Sequence, residues 1–137
     1  MIAELRALQA AVTAAGVSCH IGQVPPATPM PYASLSAPGH GVPDDEPAAT
    51  ETDDVAADVR LLVTDTTESN VHARLAVLRR TLAPGGVPAP LPVPGRHVTL
   101  QWVRAEFVGT DRDVTVPGTN KHPGFGVDTY RVVSQPV

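Results

Sequence analysis

His97-Val98-Thr99-Leu100 is the stretch of this chain whose residue types and spacing could do chemistry. A histidine two residues before a threonine puts both side chains on one strand face. Two such pairs on neighbouring strands can serve as acid and base on a 2′,3′-cyclic phosphate. That reaction needs both histidines. The other four are His20, His40, His72 and His122, and two residues beyond them stand Gly22, Val42, Arg74 and Gly124. None supplies the second pair, so the simpler reading of His97 and Thr99 is the polar start of a strand.

Other chemistries fare no better. His20, His40 and His122 with an acid from residues 44–54 lack the short ligand spacing of zinc sites. The acidic stretch itself lacks the Asp-x-Asp-x-Asp-Gly frame that wraps calcium. Gly39-His40-Gly41 and Gly85-Gly86 are followed by no Gly-Lys-Ser/Thr, so neither is a phosphate loop. Ser34, Ser36 and Ser69 lack the glycine context of a nucleophile elbow. No cofactor and no metal is expected.

The 137 residues suit one domain with a self-sufficient core. Fifteen prolines and eleven glycines point to long loops. The formal charge of −4 speaks against a nucleic-acid partner recognised by sequence. Six acids crowd residues 44–54 with no base among them, and the rest of the chain is slightly basic. A single cysteine, Cys19, excludes an internal disulfide and reads as a small buried strand residue. Glu4 and Arg6 interrupt the first residues, so no leader is expected; with no run of about 20 apolar residues, the chain is expected to be soluble and made in the cytoplasm.

The elements follow from periodicity. Ile2, Leu5, Leu8 and Val12 form the stripe of a helix over residues 1–15, stopped by Gly16. Short strands are expected at 17–21 and 32–36, separated by a proline cluster. Residues 55–64 alternate as the strongest strand. Thr67 or Ser69 caps a second helix carrying Val71, Leu75, Leu78 and Leu82, with Arg79 and Arg80 at its negative end. Five prolines between 84 and 94 predict a stiff connector. Strands are expected over 97–107 and 127–134, with Val98, Leu100 and Trp102 on one face and Val103 on the other. This order predicts an α+β fold. Its four- to five-stranded, mostly antiparallel sheet carries two helices on one face.

Two loops, residues 38–54 and 109–126, each of about 17 residues, are long for so small a domain and read as contact surfaces. The candidate interface residues are therefore the acidic group Asp44, Asp45, Glu46, Asp53 and Asp54, and Asp111, Arg112, Asp113 and Lys121 of the second loop. Arg104 and Arg131 on the last two strands join them. With so few aromatic residues, a stacking platform for single-stranded nucleic acid is not expected.

The order of elements resembles the tail terminator proteins of long-tailed bacteriophages, also called minor tail or tail completion proteins. The likeness runs along nearly the whole chain. It starts with an N-terminal helix and a proline-rich passage before Pro31-Tyr32-Ala33-Ser34-Leu35. The Val59–Val63 strand then feeds a helix ending Leu78-Arg79-Arg80-Thr81-Leu82. Next come the Val98–Phe107 strand, Asp111-Arg112-Asp113, and the final Asp128-Thr129-Tyr130-Arg131-Val132 strand. The Lys-poor, Ala-, Pro- and Arg-rich composition looks like that of a phage of a high-GC actinobacterial host. The resemblance implies a structural virion protein without catalytic residues. It implies a ring, typically a hexamer, at the head-proximal end of the tail tube. The ring would stop tube polymerisation, join tail to head through the connector and leave room for DNA to pass. Three alternatives stand beside it: a head-completion (stopper) protein, an adaptor domain with no phage role, and a two-histidine-type phosphoesterase using His97 and Thr99.

Overall fold

A computed structural model describes residues 1–38 and 54–137. Helix α1 (Ile2–Ala14) buries Leu5, Leu8 and Val12, the three-four spacing of one helical face. Gly16 follows at φ 98°, a left-handed turn that glycine takes without a Cβ penalty. Strands β1 (Ser18–Ile21) and β2 (Tyr32–Ser36) pair in parallel, with Cys19 opposite Ala33. Strand β3 (Val55–Asp65) buries Ala57, Val59, Leu61 and Val63 on one face and turns Asp58, Arg60 and Leu62 to the other. Helix α2 (Glu68–Leu82) begins at Thr67, whose side chain accepts a hydrogen bond from the Asn70 amide at 3.1 Å. It buries Val71, Leu75, Leu78 and Leu82.

Three further strands complete one six-stranded sheet. They are β4 (Ala89–Pro90), β5 (Arg96–Thr110) and β6 (Gly124–Pro136), and the order across the sheet is β1-β2-β3-β6-β5-β4. Every pairing but β1–β2 is antiparallel. Both helices lie on the same face, α1 over β1 and β2, α2 over β3, β6 and β5. The fold is α+β with a mixed sheet. Leu8, Leu35, Leu61, Leu75, Leu78 and Leu100 are fully buried between the two layers. Burying each contributes roughly 1.5–3 kcal/mol.

Four expectations change. Among the described residues the sheet has six strands, where four or five were expected. The 84–94 stretch is no mere connector: it holds a 3₁₀ turn at Pro84–Gly86 and the edge strand β4, where Pro90 sacrifices no ladder bond on its open side. Strands β5 and β6 outrun their expected bounds at both ends, so the loop of 109–126 shrinks to 111–123. In α1, Ile2 is only half-buried, and Glu4 takes the core position in its place.

Glu4 is paired where it is buried. Its carboxylate lies 3.3 Å from the Arg96 Nε and 3.3 Å from the N-terminal ammonium. Arg96 also donates to the Ser134 hydroxyl and, at 3.2 Å, to the Ser134 carbonyl. Burial pushes the Glu4 carboxyl up. The Ser134 hydroxyl, its own backbone amide and the N-terminal charge overcome that and hold it below its ordinary value. A folded pKa below the unfolded one means stability that is present above about 4.5 and lost as pH falls through the lower folded value. Urea midpoints measured from pH 7 to 3 should therefore fall less steeply below 4.5 in Glu4→Gln than in the parent chain.

A second buried ion pair ties α2 to β6. Arg79 donates from two nitrogens to the two Asp128 oxygens, both at 2.6 Å, and Asp128 is fully buried. The same guanidinium lies 4.9 Å from the Trp102 ring centroid. Trp102 thus faces the helices with Val98 and Leu100 as expected, half-buried under Arg79.

Candidate interaction surface

One face of the sheet carries both helices, and the strand register defines what the other presents. Residues paired across strands share a face, so the open side can be read in rows. Ser34, Leu62, Val127 and Phe107 form one row across β2, β3, β6 and β5. Tyr32, Thr64, Phe125 and Gly109 form the next, toward the 111–123 loop. On the other side lie Ser36, Arg60, Thr129 and Arg104, then Asp58, Arg131 and Gln101. The open face therefore has an apolar and aromatic end and a charged middle.

At the apolar end, Phe107 is 54% exposed and its ring sits 5.3 Å from that of Phe125. In the charged middle, two irregularities of β5 shift the register, between Trp102 and Arg104 and between Ala105 and Phe107. The second leaves Glu106 without a strand partner. Its carboxylate reaches Arg60 Nε at 3.3 Å and Arg104 at 3.2 Å. One carboxylate thus spans β6 between two arginines, directly over Thr129. Beside it, Arg131 donates to Asp58 at 3.0 Å.

The 111–123 connection is a tied arm. The Asp111 amide donates to the Pro123 carbonyl at 2.9 Å and the Val116 amide to the Lys121 carbonyl at 2.8 Å. Asp111 accepts from the Asp113 amide, and His122 Nδ1 lies 2.7 Å from the Val114 carbonyl. Arg112, Asp113, Val114 and Lys121 stand exposed on this frame. On the helix side, a groove of about 250 Å³ lies between the end of α1 and α2, lined by Ala15, Val17, Ala73, Val77 and Leu78 with Arg74 and Asn70. Arg74 is already matched there by Asp65 at 2.9 Å.

The expected interface residues fall in separate places. Arg104 and Arg131 lie in adjacent rows of the open face. Asp111, Arg112, Asp113 and Lys121 lie on the arm, beyond the aromatic rows. Asp111 spends its carboxylate on the turn. Asp54 is exposed just before β3. Asp44, Asp45, Glu46 and Asp53 lie outside the described residues. His97 and Thr99 lie on the open face opposite Gln135 and Val133, and His20 is on the far edge strand. Among the described residues no cluster of three or more His, Cys, Asp or Glu could hold a metal, and no helix is long and apolar enough to cross a membrane. The chain's one thiol, on Cys19, is buried facing the helices, and burial raises its pKa to about 12.

Sequence reasoning missed Arg60, Glu106 and Thr129. The alternation of Asp58 and Arg60 with Val59 and Leu61 was the available signal for one of them. Glu106 gave none, because a bulge leaves no mark in the pattern of residue types. No protein-family model matches this sequence, and no curated protein does.

Proposed function

We propose that this chain is a structural subunit of the tail terminator kind, assembling head-to-tail into a ring at the head-proximal end of a phage tail tube. The observation that carries the reading is the division of its surface. Among the described residues, the candidate chemistry-bearing side chains lie spread over the open sheet face and an arm tied by its own hydrogen bonds, with no cleft gathering them, and such surfaces suit association with other proteins. The α+β order with both helices on one face is what the resemblance implies. A ring of identical subunits needs two unlike patches per subunit; on this reading the arm supplies one of them, and the open face is left to a partner outside the ring. On this reading the partners are further copies of the chain, the tail tube protein and the head-completion or connector protein. The protein belongs in the virion, made in the host cytoplasm.

Light scattering over a concentration series, with negative-stain images of the same fractions, tests this. Rings of about six subunits, formed alone or on added tail-tube protein, are the expected result. A chain that stays monomeric under both conditions would overturn the proposal.

A further inference from the structure

The crossbar on the open face is unevenly charged. Arg60 and Arg104 share the single carboxylate of Glu106, and their side chains remain 53% and 55% exposed. The contacts, at 3.2 and 3.3 Å, are single and long. The buried Arg79–Asp128 pair, by contrast, makes two contacts at 2.6 Å. A guanidinium has five N–H donors in a planar fork, so most of the bonding capacity here is unspent. The neighbouring Arg131–Asp58 pair and the Arg74–Asp65 pair on the helix side are each matched one to one. Among the described residues, this row of the open face therefore carries one more arginine than carboxylate.

Beneath the crossbar is an unsatisfied group. Register sets Thr129 opposite Arg60 on one side and Arg104 on the other. Thr129 is 1% exposed, and its hydroxyl has no hydrogen-bond partner among the described residues. A buried hydroxyl without a partner costs roughly 1–3 kcal/mol. Next to this row run Leu62, Val127 and Phe107. Cationic row and apolar row together form one surface with two requirements.

We infer that the open sheet face docks a protein partner presenting a carboxylate beside apolar side chains. The carboxylate seats between the Arg60 and Arg104 guanidinium groups over Thr129, and the apolar residues cover Phe107, Val127 and Leu62. Glu106 is the resident anion of this site in the free chain, and the partner's carboxylate joins or displaces it. Charge complementarity selects an acidic partner over a basic one, and the apolar row selects a protein surface over a bare phosphate. The inference does not depend on ring formation.

Nuclear magnetic resonance titration with a synthetic strand peptide alternating Glu with Val and Phe tests it. The Glu peptide should saturably shift the Arg60, Arg104 and Thr129 signals. Arg60→Gln and Arg104→Gln, at positions exposed enough to leave the fold intact, should each weaken binding at least tenfold. Glu106→Gln, which frees both arginines, should tighten it. Several results would overturn the proposal: no saturable shift in either the parent chain or Glu106→Gln, or equal binding of the same peptide with Lys for Glu. Tighter binding of inorganic phosphate or a short DNA duplex would assign the face to phosphate. Shifts at the same signals on raising protein concentration alone would assign it to a second copy of this chain.

Discussion

Arg79→Ala should lower the free energy of unfolding by about 3–5 kcal/mol, the largest loss expected from any single charged side chain here. The size comes from what the substitution leaves behind. Asp128 is fully buried, and both its oxygens are bonded by Arg79. Without the guanidinium, the fold must hold an unpaired carboxylate or a newly protonated one. The stacking over Trp102 goes as well. The double variant Arg79→Leu with Asp128→Leu removes the charge along with its partner, and should recover a large part of the loss. Urea denaturation of the three chains measures both effects. A single variant within about 1 kcal/mol of the parent would mean that Asp128 finds another donor.

Gly124→Ala should cost about 3 kcal/mol, out of proportion to one methyl group. The added Cβ would stand 2.6 Å from the Glu68 amide nitrogen, 2.7 Å from the Thr67 carbonyl carbon and 2.8 Å from the Glu68 Cα. All three are backbone atoms in the capped first turn of α2, so relief requires moving the helix or the strand. Gly109 makes the contrast. Its added Cβ would meet only the tip of the Phe107 ring, at 2.6 Å, and that half-exposed side chain can swing aside. Thermal unfolding of Gly124→Ala and Gly109→Ala compares them. A Gly124→Ala chain as stable as Gly109→Ala would show that β6 and α2 are less tightly fixed to each other.

These glycines also explain what was hard to read. The stretch 109–126 looked like one long loop because Gly109, Gly118, Gly124 and Gly126 punctuate it. Three of the four are strand residues, glycine because a ring or a helix lies against them. The helices were legible: their apolar spacing, the Thr67 cap and the Gly16 turn are local signals that no distant contact overrides. So was β3, where Ala57, Val59, Leu61 and Val63 recur at every second residue. Glu4 was not, since an acid in a core stripe makes sense only once Arg96 is known to meet it from the other end of the chain. The open face was half legible. Arg104 and Arg131 could be named, but their neighbours depend on cross-strand register and on two bulges that composition does not encode.

The sheet order carries a further consequence, for the order in which the protein is made. The strands of the first half, β1, β2 and β3, meet those of the second, β4, β5 and β6, along the single seam between β3 and β6. Strand β3 leaves synthesis before β4, β5 and β6, with Val59, Leu61 and Val63 already patterned for burial. Its partner on that side, β6, emerges after the other five of these strands. Until then the strongest strand of the chain keeps one edge unpaired, the kind of edge that invites pairing with a neighbouring chain. Closing the seam joins residues far apart in sequence, a step that low local contact makes slow. A nascent chain paused before β6 thus presents an unpaired strand edge open to a neighbouring chain, and emergence of β6 closes it.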